Sequence, residues 1–328
     1  MKIALTGASG YIGLNLCSKL VESGHEVTVL QRPPQSHTSA LDVASVSGNL
    51  LNIESVDLLT RGKEVVIHLA AAISINSKKD ATTLMKTNVT GTSNVVNACA
   101  RNNVRRLIHF SSVDAYDANP GNEKLDERRG LKKRGGASYG STKADSHRIA
   151  LDSKVHGIEV IVLCPTGVIG PEDHSLSLSG KMILQYARKQ IPALIPGGFN
   201  WVDVRDVVSS TITSISAGLS GESYLLPGHF ATNKEIAKLV YGETGSSPPK
   251  IIIPFWLAKL GAPFVAIKAN ITKSDPFFTR ESIEVIEKAS KEVSGKKALQ
   301  DLKHMPRPLE ETIRDTISWF RKTGQLEE

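Results

Sequence analysis

The sequence predicts an α/β fold: a doubly wound parallel sheet with a smaller mixed α/β lobe on its C-terminal side. Apolar runs of strand length fall at residues 2–5, 27–30, 64–69, 106–110 and 159–164, and the stretches between several of them carry helical periodicity. Runs that are apolar nearly throughout suit strands buried on both faces. Strands that alternate with helices wind as right-handed parallel crossovers, with ligands at the carboxyl edge. The length of 328 residues suggests two domains, and 40% hydrophobic with 22% charged residues is a globular composition.

The first strand runs directly into TGASGYIG at 6–13. Gly7 allows a tight turn, Gly10 lets the main chain approach a phosphate without a Cβ, and Gly13 lets the following helix pack closely on the strand. That helix offers unpaired N–H groups and the positive end of its dipole, so the stretch reads as a nucleotide phosphate site on a Rossmann-type sheet. The alternative is a glycine-rich turn with no ligand. The helix continues through Ile12, Leu16, Leu20 and Val21 and stops at Gly24. Further helices are expected at 52–60 and 87–102.

After Gly170 and Pro171 the texture changes, with prolines at 192, 196, 227, 248, 249, 254 and 263. The first domain is therefore placed at 1–170 and the second at 171–328. A helix at 205–216 is expected to return to the sheet within a segment of about 200–228, so the boundary is approximate and chain segments are shared. Residues 308–322 form an amphipathic helix, with Pro308 at its start, Glu310 and Glu311 in its first turn and Gly324 beyond its basic end.

The net charge of +7 is scattered, which does not suggest a nucleic-acid partner. Cys17, Cys99 and Cys164 are far apart and in apolar contexts, so they read as reduced core thiols with neither a disulfide framework nor metal-ligand spacing. No secretion signal is visible, and a cytoplasmic protein is expected. The basic stretch 117–136 reads as a solvated loop rather than an anion site. Residues 251–271 are apolar, but Lys259, Lys268, Pro254 and Pro263 break them up, so no integral membrane segment is expected. A buried or substrate-facing segment is the preferred reading, with interfacial membrane contact the alternative.

Tyr139 and Lys143 stand four apart at the start of a helical stretch, so their side chains share a face. A phenol with a pKa of about 10 exchanges protons poorly near neutrality, and a neighbouring ammonium lowers that value. Ser111 and Ser112 end the strand at 106–110, where a hydroxyl can hold a substrate carbonyl near the phenol. Ser112 is the preferred candidate.

Taken together, TGASGYIG at 6–13, HLAA at 68–71, NVTGT at 88–92, FSS at 110–112, YGSTK at 139–143 and PTGVIGP at 165–171 resemble the extended short-chain dehydrogenases/reductases. WVDVRDV at 201–207 and the segment 306–324 extend the likeness over the whole chain, most closely to bacterial dihydroflavonol 4-reductase-like and 3β-hydroxysteroid dehydrogenase-like members of the NAD-dependent epimerase/dehydratase group. The resemblance implies that Tyr139 is the general acid/base, that Lys143 lowers its pKa and binds the nicotinamide ribose, and that Ser112 orients the substrate. Asn88 would support a water relay behind the lysine, or else brace neighbouring backbone. Gly7, Gly10, Tyr11, Ile12, Gly13, Arg32, Asn49, Leu50, Leu69, Ala70, Ala71, Pro165 and Val168 would contact the cofactor. Asp203 and Asp206 read as caps or ion pairs at the returning helix.

Three departures refine this. Relatives that use NAD commonly place a carboxylate at the end of the second strand, where Leu30-Gln31-Arg32 stands here, favouring NADP over NAD. Arg32 could instead point to solvent or stack on adenine. Asn49 replaces a frequent aspartate and can still accept from the adenine amine. The Asp-Glu pair of sugar-nucleotide dehydratases is here Val113-Asp114, which disfavours dehydration. The expected activity is NADP(H)-dependent interconversion of a carbonyl and a secondary alcohol on a small to medium, partly apolar substrate. The alternatives are a sugar-nucleotide epimerase with tightly bound NAD, for which Lys181, Arg188 and Lys189 could supply a cationic site, and a non-catalytic NADP-sensing regulator. The resemblance also implies a homodimer through the helices at 87–102 and 139–156.

Overall fold

The computed structural model describes residues 1–32, 43–117, 123–271 and 279–327. The larger sheet is built from β1 (Lys2–Thr6), β2 (Glu26–Gln31), β3 (Ala44–Ser47), β4 (Val65–His68), β5 (Arg106–Phe110), β6 (Glu159–Pro165) and, beyond two further strands of the chain, β9 (Glu222–Leu226). Their spatial order is β3-β2-β1-β4-β5-β6-β9, and every pairing is parallel. This is the doubly wound sheet expected, with β3 and β9 as added edge strands that no apolar run announced. The smaller sheet holds β7 (Gly167–Ile169), β8 (Gly198–Asp203) and β10 (His229–Thr232), in the order β10-β8-β7. None of its strands carries a long apolar run.

Period-2 side chains explain the burial. Ile3, Leu5, Val65, Ile67, Ile108, Ile161 and Leu163 point to one face, where they meet α1 (Tyr11–Glu22), α7 (Val204–Thr213) and α11 (Lys296–Leu302). Ala4, Val66, Leu107, Val160, Val162 and Cys164 point to the other, under α2 (Ile53–Thr60), α4 (Gly91–Arg101) and α5 (Tyr139–Asp152). The three cysteines are buried free thiols, and burial pushes Cys99 and Cys164 up to about 12. A separate core joins the smaller sheet to α6 (Leu178–Ala187), α8 (Asn233–Glu243) and α12 (Leu309–Lys322).

Local sequence sets the helix ends. Asn52 caps α2 through Ser55 N–H (2.9 Å), Ser138 caps α5, and Thr232 with Glu235 forms a reciprocal capping box on α8. Asp203 caps α7 and is paired with Arg205, while Asp206 is paired with Arg307 (2.8 Å); both are structural, as read from the sequence. In contrast, α1 has Gly10 at its N-cap, no side-chain cap and no acidic residue in its first turn.

Two stretches differ from expectation. The helix expected at 87–102 is α4 preceded by a π-helical turn, Met85–Thr90, which follows α3 (Ser77–Leu84) directly. The apolar stretch 251–271 contains α9 (Phe255–Ile271), which packs on α10 (Arg280–Lys288) but leaves several large apolar side chains exposed rather than buried.

Candidate active site

The site forms where β1, β4, β5 and β6 end. Gly7 takes φ +78°, and a Cβ there would lie 2.6 Å from Ala70 N, while a Cβ on Gly13 would overlap the Gly7 carbonyl. The glycine turn, the start of α1 and the Leu69-Ala70 segment after β4 therefore touch backbone to backbone. A Cβ on Gly10 would meet only the Gly7 carbonyl, at 3.4 Å, so this position faces open space. Uncapped N–H groups beside an open glycine suit a pyrophosphate.

At the far end of β2, Gln31 Nε2 is buried with no hydrogen-bond partner among the described residues, and Arg32 beside it is exposed. An orphaned amide donor next to a guanidinium, with no carboxylate at this strand end, fits acceptor oxygens such as a ribose phosphate. The following residues, 33–42, lie outside the described residues. Asn49 is exposed and its Oδ1 accepts from Leu51 N–H (2.9 Å), while Leu50 is buried against Gly91. Tyr11 is buried with an unpartnered hydroxyl, and Ile12 is half-buried beside it. Ala71 is half-buried, Pro165 is buried, and Val168 is half-buried on β7.

Ser111 and Ser112 are separated by their surroundings. Ser111 is committed to the core: its hydroxyl meets His147 Nδ1 (3.0 Å), whose Nε2 meets Ser223 (2.7 Å). Ser112 caps the turn Val113–Ala115 by accepting from Asp114 N–H (3.1 Å), which leaves its own proton to donate. Tyr139 is the first residue of α5 and half-buried; Lys143, one turn further, is buried. The Lys143 ammonium donates to the Phe110 carbonyl (2.5 Å), at the end of the strand that carries Ser112, and this is its only hydrogen bond among the described residues. Burial lowers Lys143 from 10.5 to about 8. Burial and then the Asp114 charge raise the Tyr139 phenol above its ordinary value, opposed by a hydrogen bond with Ser112. From the sequence the neighbouring ammonium is expected to lower the phenol; here burial and Asp114 hold it above its ordinary value.

Asn88 sits in the π-helical turn, fully buried. Its Oδ1 accepts from Ala72 N–H (2.7 Å), and its Nδ2 donates to the Ala72 carbonyl (3.0 Å) and Thr142 Oγ1 (3.1 Å). It thus braces the segment after β4 against α5, next to Lys143. A second chain of bonds runs beneath. Thr92 donates to the Asn88 carbonyl (2.6 Å), so His68 Nε2 must donate to Thr92 (3.0 Å) and His68 Nδ1 must accept from Thr6 (2.7 Å). His68 is accordingly neutral, its pKa lowered by burial to about 3.

Other members of the site carry no local signature. Ser77 N–H and hydroxyl both donate to Glu281 (2.8 and 2.5 Å), and the Ser77 oxygen accepts from Tyr139 N–H (3.2 Å). Of the cations considered for a diphosphate, Arg188 donates to the Gln325 carbonyl (2.7 Å), and Lys189 is exposed just after α6.

A model described as the NAD dependent epimerase/dehydratase family matches residues 3–226. Among known proteins, Sterol demethylase protein B of Methylococcus capsulatus is 30% identical over 99% of this chain and 100% of its own. A putative dihydroflavonol 4-reductase of Synechocystis is 26% identical over 98% of this chain and 95% of its own. Among solved structures, the UDP-glucose 4-epimerase of Thermotoga maritima, determined with UDP-glucose, is similar with a TM-score of 0.81 over 98% of this chain and 99% of its own; at 20% identity this is a likeness of fold.

Proposed function

We propose, for a chain that belongs to the NAD dependent epimerase/dehydratase family and is an oxidoreductase of the extended short-chain type, that it uses NADP(H) to interconvert a carbonyl and a secondary alcohol on a small to medium, partly apolar substrate. The observation that carries this reading is the convergence of Ser112, Tyr139 and Lys143 at the end of β5, with the lysine bonded to Phe110. Gly7, Gly10 and Gly13 with the start of α1 would hold the pyrophosphate, and Gln31 and Arg32 the adenine ribose with its phosphate. When bound there, the cofactor supplies or accepts the hydride.

Ser112 can turn its hydroxyl proton to the substrate oxygen and so fix it beside the phenol, with which it shares a hydrogen bond. In the reductive direction Tyr139 gives its proton to that oxygen, and in the oxidative direction it removes one. A phenol held above its ordinary value is protonated near neutrality, which supports reduction. Lys143, charged below about pH 8, favours the transient phenolate once the proton has left. Asn88 holds the backbone on which these groups sit. The apolar substrate class draws on the relatives, one named for a sterol demethylase and one for a dihydroflavonol reductase.

The test is to denature the purified protein, identify any released nucleotide by mass spectrometry, and titrate the empty form with NADPH and NADH. A site that exchanges its nucleotide, prefers NADPH and turns over apolar ketones is expected. Stoichiometric retained NAD would instead mean a recycled cofactor, as in a sugar-nucleotide epimerase. No turnover with any carbonyl or alcohol would leave a nucleotide-sensing role.

A further inference from the structure

Exposed large apolar side chains gather at one place on the surface: Ile251, Ile252, Trp256, Leu257 and Leu260, the first 63% and the tryptophan 64% exposed. On α9, Trp256 and Leu260 are four apart and Leu257 and Leu260 three apart, so all three border one side of the helix. The opposite face is dry, with Ala258 and Ala262 buried against Ile283 of α10. Among its described side chains the helix therefore packs by Phe255, Ala258 and Ala262 and presents Trp256, Leu257 and Leu260 to solvent, whereas an ordinary surface helix buries its large apolar groups.

The charge contributed by the segment itself is positive. From residue 244 to 274 the sequence holds four lysines and no carboxylate. The carboxylates of α10 are all engaged: Glu281 by Ser77, Glu284 by Arg280 and Glu287 by Lys259. Lys250 and Lys288 are exposed and form no ion pair among the described residues. An apolar face containing a tryptophan and rimmed by lysines suits the headgroup region of an anionic bilayer, where the ring and leucines sink below the phosphates and the ammonium groups stay among them. No helix among the described residues is long and apolar enough to cross a membrane, so the segment would lie on it.

We propose that the face formed by Ile251, Ile252, Trp256, Leu257 and Leu260 docks on an anionic lipid surface, from which the apolar substrate enters the site. The route is short. The helix α10, on which α9 rests, begins at Thr279 and Glu281, which bond the Ile75 carbonyl (2.6 Å) and Ser77, and Ser77 bonds the first residue of the catalytic helix. The substrate half of this proposal rests on the function proposed above; the docking half does not.

The experiment uses the whole protein with phosphatidylcholine vesicles, with and without phosphatidylglycerol, in the absence of substrate and cofactor. Trp201 and Trp319 are buried, so Trp256 reports the environment. The expected result is co-sedimentation and a blue-shifted Trp256 emission, quenched by brominated lipid and stronger with phosphatidylglycerol. Lys250→Gln and Lys288→Gln should each weaken the anionic preference by roughly fivefold. The pair Leu257→Gln with Leu260→Gln should abolish binding while leaving the melting temperature and turnover of a water-soluble ketone unchanged. No shift and no co-sedimentation with either vesicle overturns the proposal, as does a dimer in sedimentation that the same leucine substitutions disperse, which would give the face to a second copy. Vesicle binding by a protein that turns over only polar substrates would keep the docking surface and overturn the substrate class.

Discussion

Glu281 accepts both the backbone N–H and the hydroxyl of Ser77, and the Ser77 oxygen in turn takes the N–H of Tyr139. A residue on α10 thereby fixes the first turn of the helix that carries the phenol. Glu281→Ala should lower kcat/KM by roughly tenfold to a hundredfold, because small displacements of a catalytic group are costly. Glu281→Gln keeps an acceptor for Ser77 and should restore most of the loss. Steady-state kinetics together with NADPH binding, expected unchanged, check this.

Tyr139→Phe removes the proton source while keeping the ring that fills the site. Turnover should fall by about 10²–10⁴-fold, the usual range for a positioned acid, with the cofactor dissociation constant nearly unaltered. Wild-type turnover in this variant, measured by nicotinamide absorbance, would sink the mechanism.

Lys143 links activity to pH. Its ammonium is lowered from 10.5 to about 8 by burial, so the charge that favours the phenolate disappears as pH rises through about 8. The kcat/KM for reduction should fall on that alkaline limb, and Lys143→Met should be slow and lack it. Between about pH 8 and 10.5 the folded state binds fewer protons than the unfolded chain, so this group makes stability rise with pH over the same window.

Acid stability turns on the buried histidines, with His68, His109 and His147 lowered by burial more than His304. Burial holds His68 and His147 at about 3 and His109 well below its ordinary value, so between pH 6.5 and about 3 the unfolded chain binds protons that the folded chain does not. Stability is full above 6.5 and falls with pH, by about 1.4 kcal/mol per pH unit for each histidine. Both ring nitrogens of His109 are buried without a partner, so His109→Leu should melt no lower than wild type and take up one proton fewer on acid unfolding. Chemical denaturation across that pH range measures both.

Arg32→Ser should weaken NADPH by roughly tenfold to a hundredfold, the worth of charge-assisted bonds to a phosphate, and leave NADH unchanged. Equal losses for both nucleotides, read by fluorescence titration, would remove Arg32 as the phosphate contact.

The sequence by itself determined what short-range rules control. The parallel sheet was legible because buried strands are apolar almost throughout, and the glycine turn because backbone contacts between Gly7, Gly13 and Ala70 allow no side chain. Tyr139 and Lys143 could be paired because a helix fixes which residues share a face. Tertiary structure alone decided the rest. Ser112 is already preferred over Ser111 from the sequence, but the physical reason, His147 packed against the Ser111 hydroxyl, belongs to the fold. The direction in which the phenol shifts depends on burial and then on Asp114, neither of which any spacing reveals. Residues 251–271 read as buried or substrate-facing, with interfacial membrane contact the alternative, yet burial depends on whether a neighbour covers a side chain: Ala258 and Ala262 are covered at α10, while Trp256, Leu257 and Leu260 are exposed. Ser77 and Glu281 lie 204 residues apart. Periodicity reports a residue's own helix or strand, whereas a hydrogen bond between distant elements exists only once the chain has folded.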